Sequence, residues 1–103
     1  MQSISTAELH KKITAGEDIQ LIDVREPWEH ELYNIGGELI PLGSLLENIG
    51  RINTVKPVVF YCQKGIRSQI AIQRLIQKTA YHNLFNLEGG MAAWQKDSLP
   101  PKE

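Results

Sequence analysis

Short apolar runs alternate along this chain with stretches in which apolar residues recur at helical spacing. The runs predict strands at residues 21–24, 58–61 and 83–87, and an edge strand at residues 39–41, where Pro41 is unable to donate to a central ladder. Residues 58–61 are four apolar strand formers in a row, as a strand buried on both faces requires. This alternation predicts an α/β domain with a mostly parallel sheet.

Helices are predicted between these runs. Ser5 and Glu8 fit a capping box that starts the first helix, and Gly16 is a plausible stop. Pro27 suits the first turn of a short second helix. A further helix is predicted at residues 45–52, residues 66–78 are predicted to be a loop followed by a helix, and a short final helix is predicted after residue 90.

Composition excludes several classes of function. The 103 residues suit one domain, and a net charge of −1 lacks the basic excess that binding to nucleic acid or an anionic membrane requires. We find no membrane-spanning run and no signal peptide at the N-terminus. One cysteine permits no internal disulfide, and with three scattered histidines it gives no metal-ligand spacing, so we expect a reducing cytoplasmic setting and no metal.

The candidate chemistry lies directly after the strand at residues 58–61. Cys62 follows that strand, Gly65 lies in the next loop, and a helix is predicted to begin near Ser68. Ligands bind at the carboxyl ends of strands in an open parallel sheet. The loop can fold into a cup of inward-pointing amides, and Gly65 allows the positive φ that such a curve needs.

Each feature of this loop favours a thiolate at Cys62. The amides, the helix N-terminus and the charges of Lys64 and Arg67 all stabilise a negative sulfur, which predicts a lowered pKa. Such a thiolate can attack a sulfane sulfur and carry it as a persulfide without a cofactor. The residues alone leave another interpretation open, because a single cysteine after an apolar strand is commonly a small core residue.

Three segments, in order, resemble the rhodanese family. Residues 21–27 (LIDVREP) are similar to its Asp-Val-Arg signature, residues 62–67 (CQKGIR) to its active loop, and residues 87–90 (LEGG), followed by Trp94, to its C-terminal motif. The resemblance covers nearly all of residues 1–103. It implies one rhodanese-like domain, with a mostly parallel twisted sheet of about five short strands and helices on both faces.

The resemblance also implies an activity and a set of site residues. Sulfur would pass from a small anionic donor such as thiosulfate to a thiol, cyanide or a protein sulfur carrier. Cys62 matches the persulfide cysteine. The matching loop residues are Gln63, Lys64, Gly65, Ile66, Arg67 and Ser68. Asp23, as a strand-end cap, and an Arg25–Glu88 ion pair are expected to support the site.

Two departures bear on the pocket. Tyr33-Asn34 stands where many relatives carry Gly-His, which changes one pocket wall. Glu29 stands where some thiosulfate-using relatives carry a basic residue, and an acid there disfavours a dianionic donor. Trp28 and Trp94 are expected to pack in the core.

Other functions stay open at this point. The fold also serves as a non-catalytic binding or regulatory module, and cysteine phosphatases use a related cradle with a loop one residue longer. The chain is also similar to rhodanese domains that follow an adenylylating domain in proteins that charge sulfur carriers, a context associated with molybdopterin biosynthesis.

Overall fold

Five parallel strands form one sheet in the computed structural model, which describes residues 1–101. In chain order they are β1 (Ser3–Ile4), β2 (Gln20–Asp23), β3 (Glu38–Leu39), β4 (Val58–Tyr61) and β5 (Leu84–Leu87). The order across the sheet is β1-β5-β4-β2-β3, and each adjacent pair is parallel. The parallel α/β fold and the edge position of β3 confirm the sequence predictions, but β3 covers Glu38–Leu39 and not the predicted residues 39–41, so Pro41 lies outside it. The two-residue β1 was not predicted, because it is too short to show a periodic pattern.

Helices cover both faces of the sheet. They are α1 (Thr6–Thr14), α2 (Pro27–Leu32), α3 (Ile66–Lys78) and α4 (Gly90–Lys96). The predicted capping box starts α1, since the Ser5 hydroxyl accepts from the Glu8 amide at 3.1 Å and the Glu8 carboxylate accepts from the Ser5 amide at 3.2 Å. At 13 residues, α3 is the longest helix described and is too short to traverse a bilayer.

The single helix predicted at residues 45–52 is wrong. Two short 3₁₀ segments, Leu42–Ser44 and Leu46–Arg51, occupy this region. Asn48 leaves helical geometry at φ −117°, and its side-chain amide donates to the Ser44 carbonyl at 2.7 Å. A side chain that binds the backbone in this way competes with a regular helix.

Central strand β4 separates two apolar clusters. Phe60 faces the cluster beneath α3, which includes Ile72 and Leu75, because alternate strand residues point to opposite faces. Tyr61 faces the cluster beneath α1 and α4. Burial of side chains of this size contributes about 1.5–3 kcal/mol each, so the end of β4 is a rigid place from which to start the next loop.

The two tryptophans differ. Trp94 is 2% exposed and packs in the core as predicted, but Trp28 is 67% exposed, so its predicted core position is wrong. Trp28 lies on α2, a six-residue helix none of whose residues is buried. The exposed side chain therefore stands on the surface next to the carboxyl edge of the sheet.

Candidate active site

Cys62 lies immediately after β4, at the carboxyl edge of the sheet. Its side chain is only 1% exposed, and it borders both the core and a cavity of about 280 Å³. That cavity is also lined by Glu29, Gln63, Lys64, Ile66 and Arg67. The thiol is therefore shielded from bulk water and faces a space that admits a small reagent.

Loop amides converge on the sulfur. The Gly65 N–H lies 3.0 Å from Cys62 Sγ and the Ser68 N–H lies 3.5 Å from it. Gly65 has φ +86°, and a Cβ added there would meet the Gly89 nitrogen at 3.1 Å. Glycine at this position therefore allows both the left-handed turn and the close approach of the next loop.

Helix α3 begins at Ile66, two residues earlier than expected, with Gly65 as its N-cap. Ser68 thus lies in the first turn, where a backbone N–H has no partner within the helix. That amide is free to donate to the sulfur, and the positive end of a 13-residue helix faces the thiol.

The outer side of the loop is held by α4. Cys62 and Gln63 turn their carbonyls away from the cavity and accept from the Met91 and Ala92 amides, each at 2.9 Å. Gly90 makes this contact possible, because a Cβ there would lie 2.2 Å from the Cys62 carbonyl oxygen. The resemblance of residues 87–90 to a family motif does not reveal this contact, which was not anticipated from the sequence.

A buried polar pair lies behind the sulfur. The Ser68 hydroxyl is 3.4 Å from Cys62 Sγ and hydrogen-bonds the side chain of Asn86 on β5. Asn86 was not among the predicted site residues. Its one signal in the sequence is a polar residue inside an otherwise apolar strand.

The surroundings lower the pKa of Cys62. Burial alone raises the pKa of this thiol. The Ser68 hydroxyl and the amides of Ser68, Lys64 and Gly65 oppose burial by binding the anion, and together they outweigh it. Cys62 is therefore more acidic than an ordinary cysteine, which is the condition for a reactive thiol.

Arg67 brings no free charge to the cavity. Its guanidinium forms a two-pronged ion pair with Glu29 of α2, with Nη1–Oε1 at 2.7 Å and Nη2–Oε2 at 2.9 Å. The Arg67 guanidinium lowers the pKa of Glu29 to about 2, so both groups are ionised at neutral pH. The expected basic contribution of this loop thus rests on Lys64, whose side chain is exposed.

The predicted Arg25–Glu88 pair is wrong. Arg25 pairs with Asp23, with Nε–Oδ1 at 2.9 Å and Nη2–Oδ2 at 2.8 Å, and both side chains are buried. Asp23 is two residues away at the same strand end, whereas Glu88 is exposed in the turn before α4 and accepts from Ser3 Oγ at 2.8 Å. The expected capping role of Asp23 is confirmed, because it accepts from the Arg25 backbone N–H at 3.0 Å.

Arg25 joins the strand end to two neighbouring segments. Its Nη1 donates to Gln63 Oε1 at 3.2 Å, and its Nη2 donates to the Tyr33 carbonyl at 2.5 Å. Asp23 also contacts His30 Nδ1 at 2.9 Å, which ties α2 to the same carboxylate. This network positions α2, and with it Glu29, against the loop after Cys62.

Within residues 1–101, no group of three or more His, Cys, Asp or Glu side chains is arranged to hold a metal ion.

Comparison with known proteins places this geometry in a family. The family model for the rhodanese-like domain matches residues 5–97. A protein of Allochromatium vinosum named sulfurtransferase is 32% identical over 101 residues, which cover 97% of this chain and 94% of that protein. A rhodanese-like domain protein of Staphylococcus aureus is 31% identical in its crystal structure, with a TM-score of 0.85 and full coverage of both chains.

Other relatives are longer than this chain. The YqhL protein of Bacillus subtilis is 46% identical over 76 residues, which cover 73% of this chain and 60% of YqhL. A Mycobacterium tuberculosis protein named probable adenylyltransferase/sulfurtransferase MoeZ is 32% identical over 101 residues, covering 95% of this chain and 26% of that protein. Since the family match spans residues 5–97, which is most of the chain, the chain belongs to the rhodanese-like domain family.

Proposed function

We propose that residues 1–103 act as one sulfurtransferase unit that moves a sulfane sulfur from an anionic donor to a thiophilic acceptor through a persulfide on Cys62. The observation that carries the proposal is the convergence of two amides and one hydroxyl on the only sulfur of the loop, at the wall of a cavity. Matched relatives of this chain's own length are named sulfurtransferases, which supports the reaction class.

The first half-reaction loads the sulfur. Cys62 loses its proton to solvent, and its thiolate attacks the outer sulfur of the donor. With thiosulfate, the new S–S bond forms as the bond to the sulfonyl sulfur breaks, and sulfite leaves with that electron pair. The charge then lies on the terminal sulfur, where amides of the Gly65 region offer the same kind of donor that binds the thiolate.

The second half-reaction unloads it. A thiolate or cyanide attacks the terminal sulfur, and Cys62 leaves as a thiolate. The low pKa of Cys62 favours this departure, because an acidic thiol is a better leaving group. A free thiol of this kind suits the reducing cytoplasm.

With a carrier carboxyl group activated by adenylylation, the terminal sulfur attacks the acyl carbon and AMP leaves. An external thiol then attacks Cys62 Sγ, the carrier thiocarboxylate leaves with the bonding electrons, and a further thiol reduces the disulfide left on Cys62 back to the thiolate. The similarity to MoeZ, which is named an adenylyltransferase as well as a sulfurtransferase, supports an adenylylated acceptor.

Intact-mass spectrometry tests the loading step. Incubation with thiosulfate, a thiosulfonate or polysulfide is expected to add one sulfur atom, about 32 Da, which later cyanide removes as thiocyanate. Cys62→Ser is the matched control and gains nothing. Absence of an adduct with every donor contradicts the proposal. Hydrolysis of an aryl phosphate would favour phosphatase chemistry, and partner binding unaffected by Cys62→Ser would favour a binding module.

A further inference from the structure

The Cys62 cavity contains an acidic residue that sulfur loading does not require. Glu29 comes from α2, whereas most of the cavity lining comes from the segment 62–67. The Glu29 side chain is 12% exposed and the Arg67 side chain is 35% exposed, so the pair is only partly open to solvent. An ion pair in this setting is screened less than one on the open surface.

Glu29 is fixed in place by more than Arg67. Its Oε1 also accepts from the Glu26 backbone N–H at 3.1 Å, across the first turn of α2. If Arg67 turned to bind an incoming anion, it would give up both of its hydrogen bonds to Glu29, and the carboxylate would remain beside the cavity. Because charge-assisted bonds of this two-pronged kind are strong, the pair opposes recruitment of Arg67 by the donor.

The charges that line the cavity set which donors enter readily. With Cys62 as the thiolate, the negative charges of Glu29 and Cys62 balance the positive charges of Lys64 and Arg67. The cavity then exerts no net attraction on a thiosulfate dianion. The repulsion energy between Glu29 and this dianion is twice that between Glu29 and a monoanion at the same distance. Lys64 compensates little, because its exposed charge is screened by solvent.

We propose that Glu29 is a specificity-determining residue that makes this cavity prefer singly charged sulfur donors, such as a persulfide anion on a cysteine, over the thiosulfate dianion. The inference rests on the proposed sulfurtransferase function and adds the substrate class. It does not alter the chemistry of the step: a thiolate attacks the outer sulfur, and sulfite, a sulfinate or a thiolate leaves with the bonding electrons.

Two donors of matched chemistry test the inference. Thiosulfate is a dianion that releases sulfite, and methanethiosulfonate is a monoanion that releases methanesulfinate. The second-order rate constant of persulfide formation is measured for each donor by quenched intact-mass spectrometry at low ionic strength. Glu29→Gln removes one charge and keeps an oxygen that can accept from the Glu26 amide, so the first turn of α2 is preserved.

The expected pattern follows from the linear dependence of Coulomb energy on charge. If Glu29→Gln accelerates thiosulfate on the order of tenfold, methanethiosulfonate accelerates by about the square root of that factor, roughly threefold. Glu29→Ala should likewise raise the donor ratio, which is the rate constant for thiosulfate divided by that for methanethiosulfonate. Glu31→Gln is the control, since Glu31 is an exposed residue of the same helix that does not line the cavity, and it should leave the ratio unchanged.

Failure of the inference and failure of the proposed function look different. A donor ratio that stays constant or falls in both Glu29 variants, or that moves equally in Glu31→Gln, overturns the specificity role while loading persists. If the unaltered protein forms no persulfide with either donor or with polysulfide, both the function and the inference are overturned.

Discussion

Replacement of Gly90 with alanine tests whether α4 shapes the sulfur-binding loop. Gly90 has φ +55°, and a Cβ there would lie 2.2 Å from the Cys62 carbonyl oxygen and 2.9 Å from the Gln63 carbonyl group. Both contacts are with backbone, which has no flexible end to move aside. The substitution must therefore displace α4 from the loop, and it would loosen the hydrogen bonds from Met91 and Ala92.

The cost can be worked from three contributions. A left-handed conformation costs a non-glycine residue about 1–2 kcal/mol. Forcing extra volume into a filled contact costs about 1–3 kcal/mol. Weakening two backbone hydrogen bonds adds about 0.5–1.5 kcal/mol each. Because displacement relieves the overlap at the expense of the hydrogen bonds, these costs are partly alternatives, and we expect a loss of about 3–4 kcal/mol for Gly90→Ala.

Urea unfolding followed by tryptophan fluorescence measures this loss, since Trp94 of α4 is buried. Two glycines separate the causes. Gly16 has φ +75° and nothing within 4 Å of an added Cβ, so Gly16→Ala should cost only the conformational 1–2 kcal/mol or so. Gly50 has neither a positive φ nor a neighbour, so Gly50→Ala should stay within about 1 kcal/mol of the parent.

The thiol supplies a second readout. In Gly90→Ala the Cys62 and Gln63 carbonyls are no longer held outward, so the Lys64 amide that follows them is displaced from the sulfur. The pKa of Cys62, measured from the pH dependence of its alkylation rate, should rise in Gly90→Ala and stay unchanged in Gly16→Ala. If Gly90→Ala costs no more than Gly16→Ala and leaves the thiol pKa unchanged, the role assigned to α4 is refuted.

Three further predictions concern the polar groups around the site. Ser68→Ala removes the hydroxyl 3.4 Å from the sulfur and should raise the pKa of Cys62, so an unchanged midpoint in the alkylation profile would contradict its role. Arg25→Met leaves Asp23 buried with the residue-25 backbone N–H and the His30 side chain as its partners and should cost about 3–5 kcal/mol in urea unfolding, whereas a loss below about 1 kcal/mol would show that the carboxylate is satisfied without the Arg25 guanidinium. The Glu29 carboxylate has its pKa lowered from 4.5 to about 2, so its contribution to stability is complete above pH 4.5 and lost as the pH falls toward 2. The stability difference between the parent and Glu29→Gln should therefore shrink across that range from about 1–2 kcal/mol, a figure that allows for solvent screening of the partly exposed Arg67, and a constant difference would disprove the linkage.

Local pattern was enough to predict the part of the site that lies on one continuous segment. The apolar run at residues 58–61, the cysteine after it, and the glycine before an amphipathic helix are all adjacent in sequence. Strand burial, loop curvature and helix initiation depend mainly on such neighbours. The same reasoning predicted the start of α1, where the capping residues are only three positions apart.

Contacts between distant segments were decided by the tertiary structure alone. Glu29 and Arg67 are 38 residues apart, and the sequence shows two opposite charges without showing that they meet. The exposed Trp28 is a further example. An aromatic residue predicts burial, but only the tertiary structure shows whether another element covers it.

Arg25 separates what the sequence determines from what the tertiary structure determines. The sequence by itself determined that a charged cluster follows β2 at the carboxyl edge of the sheet. Only the folded chain decided that Arg25 pairs with Asp23, and that Glu88 stays exposed in the turn before α4. Likewise, the residues of the cysteine loop are adjacent in sequence, but its carbonyls are oriented by hydrogen bonds from α4, which lies almost 30 residues later in the chain. Hydrophobic periodicity reports which side of an element is buried, whereas the partner of a polar group depends on which elements the folded chain brings within hydrogen-bonding distance.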